Sequence, residues 1–154
     1  MTTRGCLVLA ALAAGPLVSA HAVAQALDGQ FRGSYVCEKL PTTRNMLRVP
    51  IDLVVHGNSV QFARPLFTLN GARVRGSELA AGTIDGNGKL HLKSGWTYLG
   101  NTAEGDYSGT LTPAGGTLTG TQTWRGPGGG DAVSRACTVA LVPAPRFAAG
   151  PRAQ

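Results

Sequence analysis

From about residue 30 onward, apolar and polar side chains alternate with a period of two, and glycine-rich breaks cut the alternation every ten or so residues. No window past the first 26 residues carries apolar side chains at helical spacing behind a capping residue, so the pattern predicts an all-β chain. The clearest run sets Leu47, Val49, Ile51, Leu53 and Val55 against Arg48, Pro50, Asp52, Val54 and His56. Gly57-Asn58 then turns the chain so that Val55 faces Val60 and Leu53 faces Phe62 on one buried side. Asp85-Gly86-Asn87-Gly88-Lys89 closes a second hairpin with Ile84 opposite Leu90 and an outer Asp85/Lys89 pair. Pro113-Ala114-Gly115-Gly116 closes a third, read as pairing Leu111 with Leu118, Gly109 with Gly120 and Tyr107 with Gln122.

These signals predict eight strands at 30–39, 47–56, 59–68, 77–85, 89–98, 104–112, 117–125 and 135–142. Short connections make sequential strands antiparallel neighbours, and eight of them close into an up-and-down barrel that leaves no exposed edge. A two-sheet β-sandwich satisfies the same strand count. Two stretches fall outside the alternation: 67–76, read as an exposed basic loop with Arg73 and Arg75, and the Gly-rich 124–134. An outer-membrane barrel needs an apolar outward band about 25 Å tall, whereas here the outward positions carry Arg48, Asp52, Lys89, Lys93, Asp106 and a threonine ladder.

Composition changes the picture at the N-terminus. Residues 1–26 hold a lone charged side chain, Arg4, followed by an apolar run and small residues at signal-peptidase spacing. The segment reads as a cleaved export signal, with cuts before His21, Gln25 or Leu27 as candidates. An apolar core of about a dozen residues is short for a membrane anchor. That leaves a barrel domain at 27–142 and a Pro-rich disordered tail at 143–154, in a periplasmic or secreted monomer without a membrane span. Of three cysteines, Cys6 leaves with the signal; Cys37 and Cys137 remain, and in an oxidising compartment they pair as one disulfide closing the first strand onto the last. With His56 and His91 isolated, a zinc site has no supporting ligand set.

The remaining chain carries a net charge of about +5, which suits an acidic surface or anionic glycan more than nucleic acid, for which no binding module is recognisable. Arg64, Arg73 and Arg75 are the candidate partner surface. Nucleophile elbows, zinc-protease signatures and phosphate loops are absent from the sequence, and no catalytic residue is assigned. The acids Asp52, Glu78, Asp85, Glu104 and Asp106 read as a charged rim. Parity turns Phe31, Tyr35, Phe62, Trp96, Tyr107 and Trp124 inward with polar Gln122, and Ser94 and Arg64 are further inward candidates. Small barrels are either filled by side chains or hold one ligand; Tyr35, Trp96, Tyr107, Gln122 and Trp124 are the candidate ligand contacts.

Leu27-Asp28-Gly29-Gln30-Phe31 through Tyr35-Val36-Cys37, the Gly82 to Gly88 hairpin and Arg135-Ala136-Cys137-Thr138-Val139 together resemble a group of small exported bacterial β-barrel proteins of unassigned function. More remotely, Gly33-Ser34-Tyr35 is similar to the Gly-x-Trp start of lipocalins, with tyrosine in place of tryptophan, and the inward tryptophans are similar to those of avidins. No ligand-binding residue of either family can be matched, so neither ligand is implied. The expectation is a non-enzymatic exported barrel, without cofactor, that binds a small apolar ligand or an acidic partner surface. The alternatives are a secreted hydrolase inhibitor acting through 67–76 and a small hydrolase.

Overall fold

A computed structural model describes residues 27–41, 45–67 and 72–145. The proposed signal, Arg44 and most of the tail lie outside them. Eight strands follow in order: β1 Gly29–Cys37, β2 Leu47–His56, β3 Ser59–Phe67, β4 Arg73–Ile84, β5 Lys89–Tyr98, β6 Asn101–Thr112, β7 Gly115–Arg125 and β8 Val133–Pro143. Each pairs antiparallel with its sequence neighbours, and β1 pairs with β8, so the sheet is a closed barrel. The sandwich alternative is not adopted.

Two hairpins have the expected register: Leu53 faces Phe62, Val55 faces Val60, and Ile84 faces Leu90. The carboxylate of Asp85 accepts from the backbone N–H groups of Asn87 and Lys89, at 2.8 and 3.0 Å, so it shapes the turn. The third hairpin differs. Its turn is tighter, with Thr112 opposite Gly115, so Leu111 faces Gly116, Gly109 faces Leu118 and Tyr107 faces Gly120. The shift is two residues, which preserves side-chain parity, so every inward assignment on β7 survives.

The basic segment at 67–76 needs a larger correction. Beyond residues 68–71, which are not described, β4 starts at Arg73, and Phe67 opposes Arg73 across a bulge between Pro65 and Phe67. The bulge breaks the simple period that sequence reading follows. β6 likewise begins earlier than expected, at Asn101, because Leu99 (φ 48°) and Gly100 (φ 75°) make a two-residue turn with both residues in the left-handed region. At the other terminus β8 reaches Pro143, and the Ala144 N–H donates to the Gln30 carbonyl at 2.8 Å, so the paired chain passes the expected boundary at 142.

Alternation fills the interior unevenly. Around the end formed by the turns at 57–58, 85–88 and 113–114, the core is aliphatic: Val55, Val60, Ile84, Leu90, Leu111 and Leu118 are buried, with Leu27 among them. Asp28 secures this floor by accepting from the Gly57 N–H at 2.7 Å. Tyr35, Phe62 and Tyr107 form an aromatic belt above it, with Tyr35 and Tyr107 edge to face at 5.8 Å and Phe62 6.3 Å from each. The opposite end, where β1 meets β2, β3 meets β4, β5 meets β6 and β7 meets β8, is the mouth.

Cys37 and Cys137 oppose each other on β1 and β8 with Cα atoms 4.0 Å apart and form a disulfide. It closes a loop spanning 100 residues of sequence. Chain-entropy arguments assign such a closure about 4.7 kcal/mol, and removal of native disulfides typically costs about 2–5 kcal/mol. The Cys37→Ala/Cys137→Ala double variant should therefore lower the unfolding free energy by that amount, read from the denaturant midpoint and slope together, with a larger slope showing that the reference state also expands. A midpoint equal to that of the oxidised chain would refute the pin.

Candidate functional site

The inward positions nearest the mouth break the aliphatic pattern. Arg64 on β3, Glu78 on β4, Ser94 on β5 and Gln122 on β7 are all buried, and Glu78 has no solvent exposure. Strand pairing brings them together: Arg64 opposes Glu78, while Ser94, Gly105, Gln122 and Arg135 lie in one continuous row across β5, β6, β7 and β8.

Glu78 is the hub. Its Oε1 accepts from Ser94 Oγ at 2.5 Å and, at 3.5 Å, from Tyr107 Oη; its Oε2 accepts from Gln122 Nε2 at 3.1 Å and pairs with the Arg64 guanidinium. Gln122 in turn accepts through Oε1 from Arg135 Nε and Nη2 at 3.0 and 2.6 Å. The Arg64 guanidinium also lies 4.6 Å over the Tyr35 ring, a cation–π contact. Tyr35 and Tyr107 share a 2.7 Å hydrogen bond, and Tyr35 Oη lies 3.5 Å from the Cys137 sulfur, so the network touches the disulfide. Gly105 makes room for it: a Cβ there would collide with Tyr107 Oη and Ser94 Oγ.

Electrostatics follow from that burial. Desolvation, reinforced by the Glu78 charge, pushes both the Tyr35 and the Tyr107 phenol above the ordinary tyrosine value. Desolvation also lowers Arg135 from the usual arginine range. Arginine nevertheless stays a cation in proteins, and among the described residues the hydrogen-bond partners of the Arg135 guanidinium are both neutral: Gln122 Oε1 and, at 3.4 Å, the Glu38 carbonyl.

The five expected ligand contacts divide into two groups. Tyr35, Tyr107 and Gln122 are fully buried inside the network, whereas Trp96 and Trp124 are half-buried at the mouth, both opposing Ala103 from either side. The expected cationic surface also divides. Arg73 and Arg75 are exposed on β4, but Arg64 points inward to Glu78 and leaves that surface, because its position on β3 shares the parity of Val60 and Phe62. Glu78, grouped with the rim acids by sequence, is interior for the same reason; counting back in twos from Ile84 reaches it. His91 is exposed, with Nε2 2.5 Å from Asp106 Oδ1.

Comparison with protein-family models, curated proteins and solved structures returns no match to this chain.

The site is therefore defined by its own geometry. Two buried N–H donors in this half, Arg64 Nε and Trp96 Nε1, have no hydrogen-bond partner among the described residues. Buried orphan donors are rare and call for an acceptor. Among the described residues no group of three or more His, Cys, Asp or Glu side chains could hold a metal ion.

Breaking the central pair should be costly. Glu78→Gln and Arg64→Met each strand a buried partner and should destabilise the barrel by about 3–5 kcal/mol, while the double variant should lose less than the sum. Urea unfolding of the four-member cycle measures this; additive losses would mean that the pair does not act as a unit. A second outcome concerns pH. Unfolded tyrosine ionises near pH 10 while both native phenols hold their protons above it, so their stabilisation is intact below about pH 10 and falls as pH rises, by about 1.4 kcal/mol per unit for each tyrosine. Denaturation between pH 8 and 11 should show that decline above about pH 10, and Tyr35→Phe should remove its share and roughly halve the slope.

Proposed function

We propose that the chain is an exported, non-enzymatic binding barrel whose mouth receives a small ligand, in keeping with its resemblance to small exported bacterial β-barrel proteins. The observation that carries this reading is the split interior. One half of the barrel is closed with aliphatic side chains in the ordinary way, while the mouth half spends its inward positions on a charged network and two half-buried tryptophans. A buried ion pair stabilises a fold poorly compared with apolar packing of the same volume, so its presence favours a role beyond stability. The mouth also exposes apolar Leu99 and Met46, which gives an incoming apolar body a rim to rest on.

Export is supported by the leader-like first 26 residues and by the disulfide, a bond that persists in oxidising compartments. The non-enzymatic reading is supported by the state of Glu78, whose two oxygens are engaged by donors on four other side chains, which leaves it poorly suited to take a proton from a substrate.

Intrinsic tryptophan fluorescence provides the test. Titration of the purified chain with the apolar dyes 8-anilinonaphthalene-1-sulfonate and N-phenyl-1-naphthylamine should quench Trp96 and Trp124 by energy transfer with saturable, one-to-one stoichiometry. The Trp96→Phe and Trp124→Phe variants should each keep part of the signal and weaken binding. Tryptophan emission indifferent to both dyes would overturn the reading.

A further inference from the structure

We infer that the molecule received at the mouth carries an oxyanion head, a carboxylate, sulfonate or phosphate, seated against Arg135 with its apolar body against Trp96 and Trp124; this rests on the binding reading above. Three observations converge on that class. The first is charge. The buried and half-buried charged groups of the mouth are Arg64, Glu78 and Arg135; Glu78 answers Arg64, and Arg135 faces a neutral amide and a carbonyl. One positive charge is thus held in a partly desolvated place with no carboxylate in direct contact among the described residues, Glu78 acting on it from beyond Gln122. A half-buried guanidinium in that state gains from an oxyanion, which it engages through two parallel N–H groups.

The second observation is the balance of donors and acceptors. The carboxylate and amide acceptors at the heart of the network are already used: Glu78 takes donors from four side chains and Gln122 Oε1 takes two from Arg135. The idle groups are both donors, Arg64 Nε and Trp96 Nε1. An oxyanion brings acceptors alone, whereas a neutral amide or alcohol brings further donors into a place that has no use for them.

Position supplies the third. Arg135 neighbours Gln122 on β7, and the adjoining inward pair in that ladder is Trp124 with Val133, so the guanidinium and the Trp124 ring share one wall of the mouth. Trp96 and Trp124 both flank Ala103, which is itself buried, so the two half-buried indoles stand one strand to either side of a small side chain. The exposed surroundings have the matching sign: Lys39, Arg48, Arg73, Arg75 and Arg125 stand around this end, against Glu38, Glu104 and Asp131. Such a field raises the local concentration and association rate of anions.

The two dyes share an aromatic body, and one of them adds a sulfonate, so their ratio isolates the head. The sulfonate should bind about tenfold or more tightly than the neutral amine, the ratio that a single charge-assisted hydrogen bond produces. Arg135→Gln should collapse that ratio towards one while leaving the neutral dye bound, and Arg135→Lys should restore part of it. Lys89→Gln, at the exposed floor end of β5, should leave the ratio unchanged, and near-UV circular dichroism should show the same aromatic packing in every variant. Equal affinity for the two dyes would overturn the anion inference and leave the binding reading standing. A preference for the sulfonate that survives Arg135→Gln would overturn the assignment to Arg135. Failure of both dyes would overturn the binding reading itself.

Discussion

The upper half of this barrel is organised by one carboxylate removed from water. A charge taken into a protein interior is tolerated when donors replace its hydration, and Glu78 receives donors from four strands: Arg64 of β3, Ser94 of β5, Tyr107 of β6 and Gln122 of β7. Each of those side chains has further obligations. Gln122 can present its N–H to Glu78 because Arg135 holds its oxygen, a geometry that also decides the amide's orientation. Tyr107 is tied to Tyr35, which lies against the disulfide sulfur of Cys137. A change at Glu78 is thereby felt on most of the strands, through contacts that are polar, directional and short.

The aromatic belt separates two environments that follow different rules. Below it, aliphatic side chains contribute through area removed from water, a term that tolerates small displacements. Above it, a few directional contacts carry the structure, and a low local dielectric strengthens each one while raising the cost of any that is lost. Tyr35 and Tyr107 suit the boundary because each offers an apolar ring to one side and a hydroxyl to the other, and the Phe62 ring completes the belt. Gly105 shows how closely the polar half is fitted, since the space a methyl group would occupy is taken by two hydroxyls of the network.

Much of this was legible in the alternation itself. Parity assigned Tyr35, Tyr107 and Gln122 to the interior correctly, and it tolerated a misjudged turn at 113–116, because a slip of two residues leaves faces unchanged. The reading was weakest on β4. Its inward positions are Val74, Gly76, Glu78, Ala80, Gly82 and Ile84, small or charged for the most part, so the apolar signal that marks a buried face is faint there. Glu78 was consequently grouped with rim acids, and Arg64 was offered both to the interior and to the surface. Arg135 shares the parity of Cys137 and Val139, and extending that period by one step would have placed it at the mouth. Composition describes what a charged residue ordinarily does; parity describes where this one points, and the second was the better guide.

Both described ends of the chain leave the barrel at the floor. Leu27 packs near Gly88, and Ala144 is bonded to Gln30 at the start of β1. The mouth, with Trp96, Trp124 and Arg135, is at the far end of every strand. The two described ends of the chain therefore lie together on the aliphatic side, and the full height of the barrel separates them from the charged network and its two tryptophans.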